Sequence, residues 1–153
     1  MGGAFPSPGD LLPHRPPMVL LDEVLDYGEA MAKASLTIHA GTAFFEPDLG
    51  VPAHVGIEWM AQTCGIFAGL EARAADRPIR LGFLLGTRRY QSMRSWFALG
   101  ERPVISVDLA FREEGMAVFD CRIAVADAPV ATARLTLYQP DGEAPSTSDQ
   151  SME

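Results

Sequence analysis

Between Asp48 and Glu71 the chain is apolar and glycine-rich, broken by one charged residue, Glu58. Its apolar positions (Val55, Ile57, Trp59, Met60, Cys64, Ile66, Phe67, Ala68, Leu70) do not form one stripe. They go round the whole cylinder, the pattern of a helix buried on all sides. Pro52 suits a first helical turn, where its missing N–H is not needed, and Pro78 stops the helix at its far end. The spacing therefore predicts a helix from about 52 to 75. Before it, 18–27 and 30–38 read as strands around a Tyr27-Gly28 turn. In the second, Met31, Lys33, Ser35 and Thr37 alternate with Ala32, Ala34, Leu36 and Ile38. Residues 40–51 form a loop of small residues around Phe44 and Phe45. Strands return at about 80–91, 103–112, 116–126 and 129–138, with turns at Glu114-Gly115 and Asp127-Ala128-Pro129. Short turns between strands imply antiparallel pairing. The order predicts an α+β domain with a sheet curled around one central helix, and a dimer to finish covering it.

Residues 1–10 carry Gly, Pro and Ser and are expected to be a flexible N-terminus, with one domain over 11–139. The acidic stretch 140–153 lacks periodicity and is expected to be disordered. The apolar stretch could cross about 30 Å of hydrocarbon. Glu58, Gln62, Pro52, His54 and the glycines at 50, 56, 65 and 69 argue instead for a core helix, with no membrane span. No basic start followed by an apolar run marks a signal peptide. Gly2 follows Met1, but Pro6 stands where N-myristoylation needs a small or hydroxylated residue.

An ionised carboxylate in an apolar helix is costly unless paired, hydrogen-bonded or protonated, which singles out Glu58 as a candidate for chemistry. The bland alternative is a first-turn acid favoured by the helix dipole. His54 and Gln62 fall four residues either side of Glu58, on one helical stripe. Gly65 and Gly69 keep that stripe narrow enough for another segment to approach closely.

Net charge of −8 argues against nucleic-acid binding. Arg73, Arg77, Arg80, Arg88, Arg89 and Arg94 nonetheless gather in one region where Asp76 is the sole acid. That surplus fits either a docking patch for a small anion or an acidic partner, or a solvated loop. Cys64 and Cys121 match no metal spacing and read as reduced core residues of a cytoplasmic protein. No His/Cys/Asp cluster argues for a metal.

Two motifs add a resemblance. Leu12-Pro13-His14-Arg15-Pro16-Pro17-Met18, followed by Leu20, Leu21, Asp22 and Val24, is similar to L-P-H-R-x-P-F-x-x-x-D-x-V. Ile57-Glu58-Trp59-Met60-Ala61-Gln62 resembles I-E-x-x-A-Q. Both belong to the β-hydroxyacyl-acyl-carrier-protein dehydratases, which have the hot-dog fold. Weaker echoes at Gly82-Phe83, Arg102-Pro103-Val104 and 125–131 extend the match over 11–138.

The resemblance implies that Glu58 works with a histidine from another subunit's loop to dehydrate a 3-hydroxyacyl thioester. Backbone N–H groups at the helix start would hold the thioester oxygen. The family's loop motif, H-F-P-G-x-P-x-x-P-G-V-x-x-I-E, puts that histidine fourteen residues before the glutamate. This chain has Phe44 there, and none of positions 40–53 is histidine. A kept helix motif with an altered loop resembles the dehydratase-like branch that accompanies aryl-polyene pathways. His54 and His14 are the candidate replacements. Gln62, Phe44, Phe45 and Trp59 are candidate substrate contacts, and the six arginines candidate contacts to an acyl-carrier-protein.

Three functions follow. The first is dehydration of a carrier-protein or CoA thioester by a homodimer, with no cofactor because the thioester itself acidifies the α-proton. The second is a non-catalytic hot-dog subunit that binds acyl chains or forms a heterodimer with an active dehydratase. The third is thioester hydrolysis, which the aromatic surroundings of Glu58 disfavour.

Overall fold

The structure, a computed structural model, describes residues 5–12, 18–78 and 83–138. The strands form one six-stranded antiparallel sheet in the order β1-β2-β6-β7-β8-β4. These are β1 (Glu23–Gly28), β2 (Met31–Ser35), β4 (Phe83–Ser92), β6 (Val104–Glu113), β7 (Met116–Val125) and β8 (Ala128–Tyr138). A separate two-residue pair joins β3 (Val51–Pro52) to β5 (Trp96–Phe97). The long helix α2 (Gly56–Ala74) lies in the curl of the large sheet, and a short helix, α1 (Pro8–Leu11), caps its outer side. This is the hot-dog arrangement that the motifs imply.

The alternation in β2 sets which face meets the helix. Ala32, Ala34, Leu36 and Ile38 are all at most 2% exposed, whereas Lys33 is half-buried and Thr37 exposed. With Ile105, Val107, Cys121, Ile123, Ala133 and Leu135 they make the wall against Trp59, Met60, Cys64 and Phe67. Phe67 meets Phe119 edge-on, with ring centres 5.7 Å apart. Removing this apolar surface from water supplies the main driving force for the fold.

Several boundaries differ from the sequence expectation, each for a local reason. The first strand begins at Glu23 rather than 18, because Leu20 gives its N–H and Met18 its carbonyl to a helix side chain instead of a strand. The turn after β1 is Glu29-Ala30, with Gly28 still paired to Met31. Pro52 stands outside the helix, extended at ψ 141°, and a 3-10 turn (Ala53–Val55) leads into α2. Between β7 and β8 the turn is Ala126-Asp127, both at positive φ (52° and 68°). Such a pair matches the right-handed twist of a hairpin.

The helix is less covered than its apolar pattern suggested. Ile57, Glu58, Ala61, Gly65 and Ala68 form a half-buried stripe facing away from the sheet. α1 closes the far end of that stripe, where Leu11 is fully buried. A Cβ on Gly69 would lie 2.3 Å from the Leu11 carbonyl oxygen, and one on Gly65 would lie 2.7 Å from Leu12 Cδ2. Part of the N-terminal stretch expected to be loose is therefore a packed turn. Cys64 and Cys121 are free and buried, and burial beside Cys121 raises the Cys64 thiol well above its ordinary range. Among the described residues no helix is long and apolar enough to cross a membrane.

Gly69→Ala should lower stability by about 1–3 kcal/mol, since the clash is with backbone and forces α1 to shift. Urea unfolding with an unchanged slope and a lower midpoint would register it. Both thiols should resist alkylation at pH 8 in the native protein and react after denaturation. Mass spectrometry reads this directly.

Candidate active site

Glu58 is the third residue of α2, in a first turn whose Val55 N-cap makes no side-chain capping bond. A carboxylate there is favoured by the partial positive charge of the helix start. One turn on, Gln62 is 1% exposed, and its carboxamide makes three hydrogen bonds. Its Oε1 accepts from the Leu20 N–H at 2.9 Å. Its Nε2 donates to the Met18 carbonyl at 2.7 Å and to Glu58 Oε2 at 3.2 Å. Gln62 thus holds the catalytic candidate and pins the segment that follows the L-P-H motif. The structure gives it a positioning task rather than the open face of a substrate contact.

The helix start is anchored from β4. A bulge between Arg88 and Gln91, with Arg89 at φ 57°, interrupts the strand just before Tyr90 packs over the helix start. The Tyr90 hydroxyl donates to the Ala53 carbonyl, and the Ala53 N–H donates to the Ser95 carbonyl at 2.9 Å. Burial raises the Tyr90 phenol above its ordinary range, so it stays a donor. A Cβ on Gly56 would sit 2.7 Å from the Tyr90 oxygen and 2.8 Å from Ile123 Cδ1, so the helix lies tight against both. The sequence reading missed Tyr90, because only the bulge, which has no periodic signal, brings it to the helix.

The other candidates divide. His54 is exposed on the 3-10 turn that leads into the helix. His14 and Arg80 lie outside the described residues. Trp59 is 1% exposed and packs on Phe97 at 4.9 Å between ring centres. It also lines a cavity of about 320 Å³ with Leu20, Leu36, Thr37, His39 and Thr42. His39 Nδ1 accepts from the Gly41 N–H at 3.1 Å, which ties the ring into its own loop. Phe45 packs against the core, while Phe44 is 62% exposed at φ 70°. No group of His, Cys, Asp and Glu among the described residues is arranged to hold a metal.

The arginines also separate. Arg94 is bound to Glu101 and lies 5.5 Å over the Phe97 ring, which makes it part of the β5 loop. Arg73, Arg77, Arg88 and Arg89 are exposed and have no carboxylate partner among the described residues.

The model of the ApeP-like family, described as ApeP dehydratase, matches residues 6–149. The chain belongs to the ApeP-like dehydratase family. Within the wider set of dehydratases it is 31% identical over 135 residues to the 3-hydroxyacyl-[acyl-carrier-protein] dehydratase FabZ of Dichelobacter nodosus, covering 81% of this chain and 88% of that protein. It is 27% identical over 127 residues to FabZ of Acinetobacter baylyi, covering 80% and 84%. A chain of the dehydratase heterocomplex ApeI:P from Xenorhabdus doucetiae superposes with a TM-score of 0.86 at 27% identity, covering 90% of this chain and 93% of that one. This ApeP-like dehydratase carries Glu58 and Gln62 one turn apart at the start of its long helix.

Gln62→Leu should cost roughly 2–4 kcal/mol, because a buried N–H and a buried carbonyl both lose their partner. Thermal unfolding of the variant beside wild type measures the loss.

Proposed function

We propose that this chain dehydrates 3-hydroxyacyl thioesters carried by an acyl-carrier-protein, giving 2-enoyl thioesters, within a pair of hot-dog subunits. One observation carries the reading. A half-buried glutamate sits at the third position of the central helix, held by a buried glutamine one turn away. Membership of a dehydratase family supports it.

The chemistry needs two proton transfers. A base takes the proton from the α-carbon, that electron pair becomes the new double bond, and the C3–O bond breaks as an acid protonates the leaving hydroxyl. Water and the enoyl thioester are the products. Glu58 supplies one of these groups. Backbone N–H groups at the start of α2 stabilise the charge that develops on the thioester oxygen. His54 or His14 supplies the second group within the chain, or a histidine from a partner's loop supplies it across the interface. Phe44, at the position of the family's loop histidine, favours the partner.

Pairing is supported by the half-buried stripe around Glu58 and by the heterocomplex that resembles this chain. Arg73 and Arg77, at the helix end, suit contact with an acidic carrier protein, an attraction that salt screens. Buried, unlinked Cys64 and Cys121 fit a reducing compartment such as the cytoplasm.

The test is mass spectrometry of a 3-hydroxyacyl carrier-protein thioester incubated with the chain, alone and with a FabZ-type dehydratase whose own glutamate has been removed. Glu58→Gln should abolish loss of water while leaving the protein folded. Dehydration that proceeds at the wild-type rate in that variant overturns the assignment of Glu58.

A further inference from the structure

β4 departs from regular pairing with β8 just where it passes the start of the helix, and the departure turns a side chain inward. Arg88 lies opposite Arg134 and Gln91 opposite Thr132, so β4 spends one residue more than β8 over the same span. Arg134 and Thr132 are exposed, while Ala133 between them is buried in the core. An unbroken ladder would put Tyr90 opposite Thr132, on the outer face. The extra residue sends it to the helix side instead. Arg89 takes up the kink at φ 57°, a conformation that residues other than glycine seldom adopt. Strain of this kind persists where the surroundings gain from it, and it clusters at functional sites.

What the surroundings gain is a fixed start for α2. Neither Pro52 nor Val55 caps its turn with a side chain, and 52–55 contains none of the residues that usually do so. The segment is held from outside. The Ala53 N–H donates to the Ser95 carbonyl, and the Ala53 carbonyl accepts from both the Gly56 N–H and the Tyr90 hydroxyl. A closed turn presents Ser95, in which the Ser92 hydroxyl donates to the Arg94 carbonyl at 2.7 Å and accepts from the Arg94 N–H at 3.3 Å. Both grips on Ala53 thus come from residues 90–95. A tilt of this turn would move the first N–H groups of the helix and the Glu58 carboxylate together.

We propose that Tyr90 is a positioning residue for the dehydration: through the Ala53 carbonyl, its hydroxyl fixes the direction of the backbone N–H groups that meet the thioester oxygen. The inference rests on the reaction described above and adds a residue on which its geometry depends. Tyr90 acts through the helix start, not on the substrate. Donors set in advance toward a developing charge lower the barrier without tightening the bound substrate. Loss of the hydroxyl therefore slows turnover and leaves substrate binding as it was.

Tyr90→Phe removes the hydroxyl and keeps the ring beside Gly56. Amide hydrogen exchange, followed by NMR, should quicken about tenfold at Ala53 and Gly56 and stay unchanged along the β6–β7 ladder. With a 3-hydroxyacyl carrier-protein thioester, in the pairings of the assay above, kcat should fall about tenfold with KM little changed. A tyrosine that only stabilises the fold would instead lower protection everywhere and leave kcat per folded molecule intact. Unchanged exchange at Ala53 and Gly56 overturns the proposal, and so does a wild-type kcat where exchange has quickened. Circular dichroism checks folding. Should Tyr90→Phe not fold, Ser92→Ala loosens the turn that carries Ser95 and should show the same pair of effects. Wild type that dehydrates in no pairing overturns the reaction and the role of Tyr90 in it. Active wild type beside an equally active variant overturns Tyr90 alone.

Discussion

A primary amide with almost no contact with water must find its hydrogen bonds inside the protein. Gln62 finds them on three partners that nothing else brings together: two backbone groups from the N-terminal segment and the carboxylate one turn away. The approach of residues 18–20 to the helix and the late start of β1 depend on that side chain, which also holds one oxygen of Glu58. The two glycines further along the same face complete the arrangement. Without side chains at Gly69 and Gly65, the Leu11 backbone and the Leu12 side chain can lie where methyl groups would otherwise be. A short N-terminal segment is thus fastened at two places, by polar bonds near the site and by close packing beyond it.

Much of this could be read from the chain. The lone charge in an apolar helix marked Glu58, the two glycines announced a close approach, and the period-two pattern grouped the buried Ala32, Ala34, Leu36 and Ile38, although Ser35 on the other parity is buried as well. The omissions share a physical cause. A two-residue ladder such as β3–β5 has no periodicity to detect. Ala126 gives no sign of positive φ, since alanine seldom adopts it and here the hairpin imposes it. Tyr90 reaches the helix only because of a bulge. The apolar residues all round α2 suggested complete burial, yet one subunit leaves a stripe half-covered, because a sheet encloses only part of a cylinder. Sequence proximity also misgrouped the arginines. Arg94 is tied into a loop, whereas Arg88 and Arg89 stand on a strand edge and Arg73 and Arg77 at the end of a helix.

The proposed dehydration asks this chain for one acid–base group and for backbone donors at the helix start. The described structure supplies a helix start, a positioned carboxylate and the anchors of both. It ties His39 into its own loop and leaves His54 on the surface.

The strand order has a consequence for how the chain reaches this state. Among the described residues β4 pairs only with β8, which is made after every other strand of the sheet, and β2 waits for β6, some seventy residues later. During synthesis β4 is therefore exposed along both edges until the C-terminal strand arrives. Contacts so distant in sequence fold slowly, because the entropy of closing the loops is spent before the ladder is gained. The nascent chain spends that interval with a ten-residue strand that still lacks its partner, and two adjacent arginines are the charges within it.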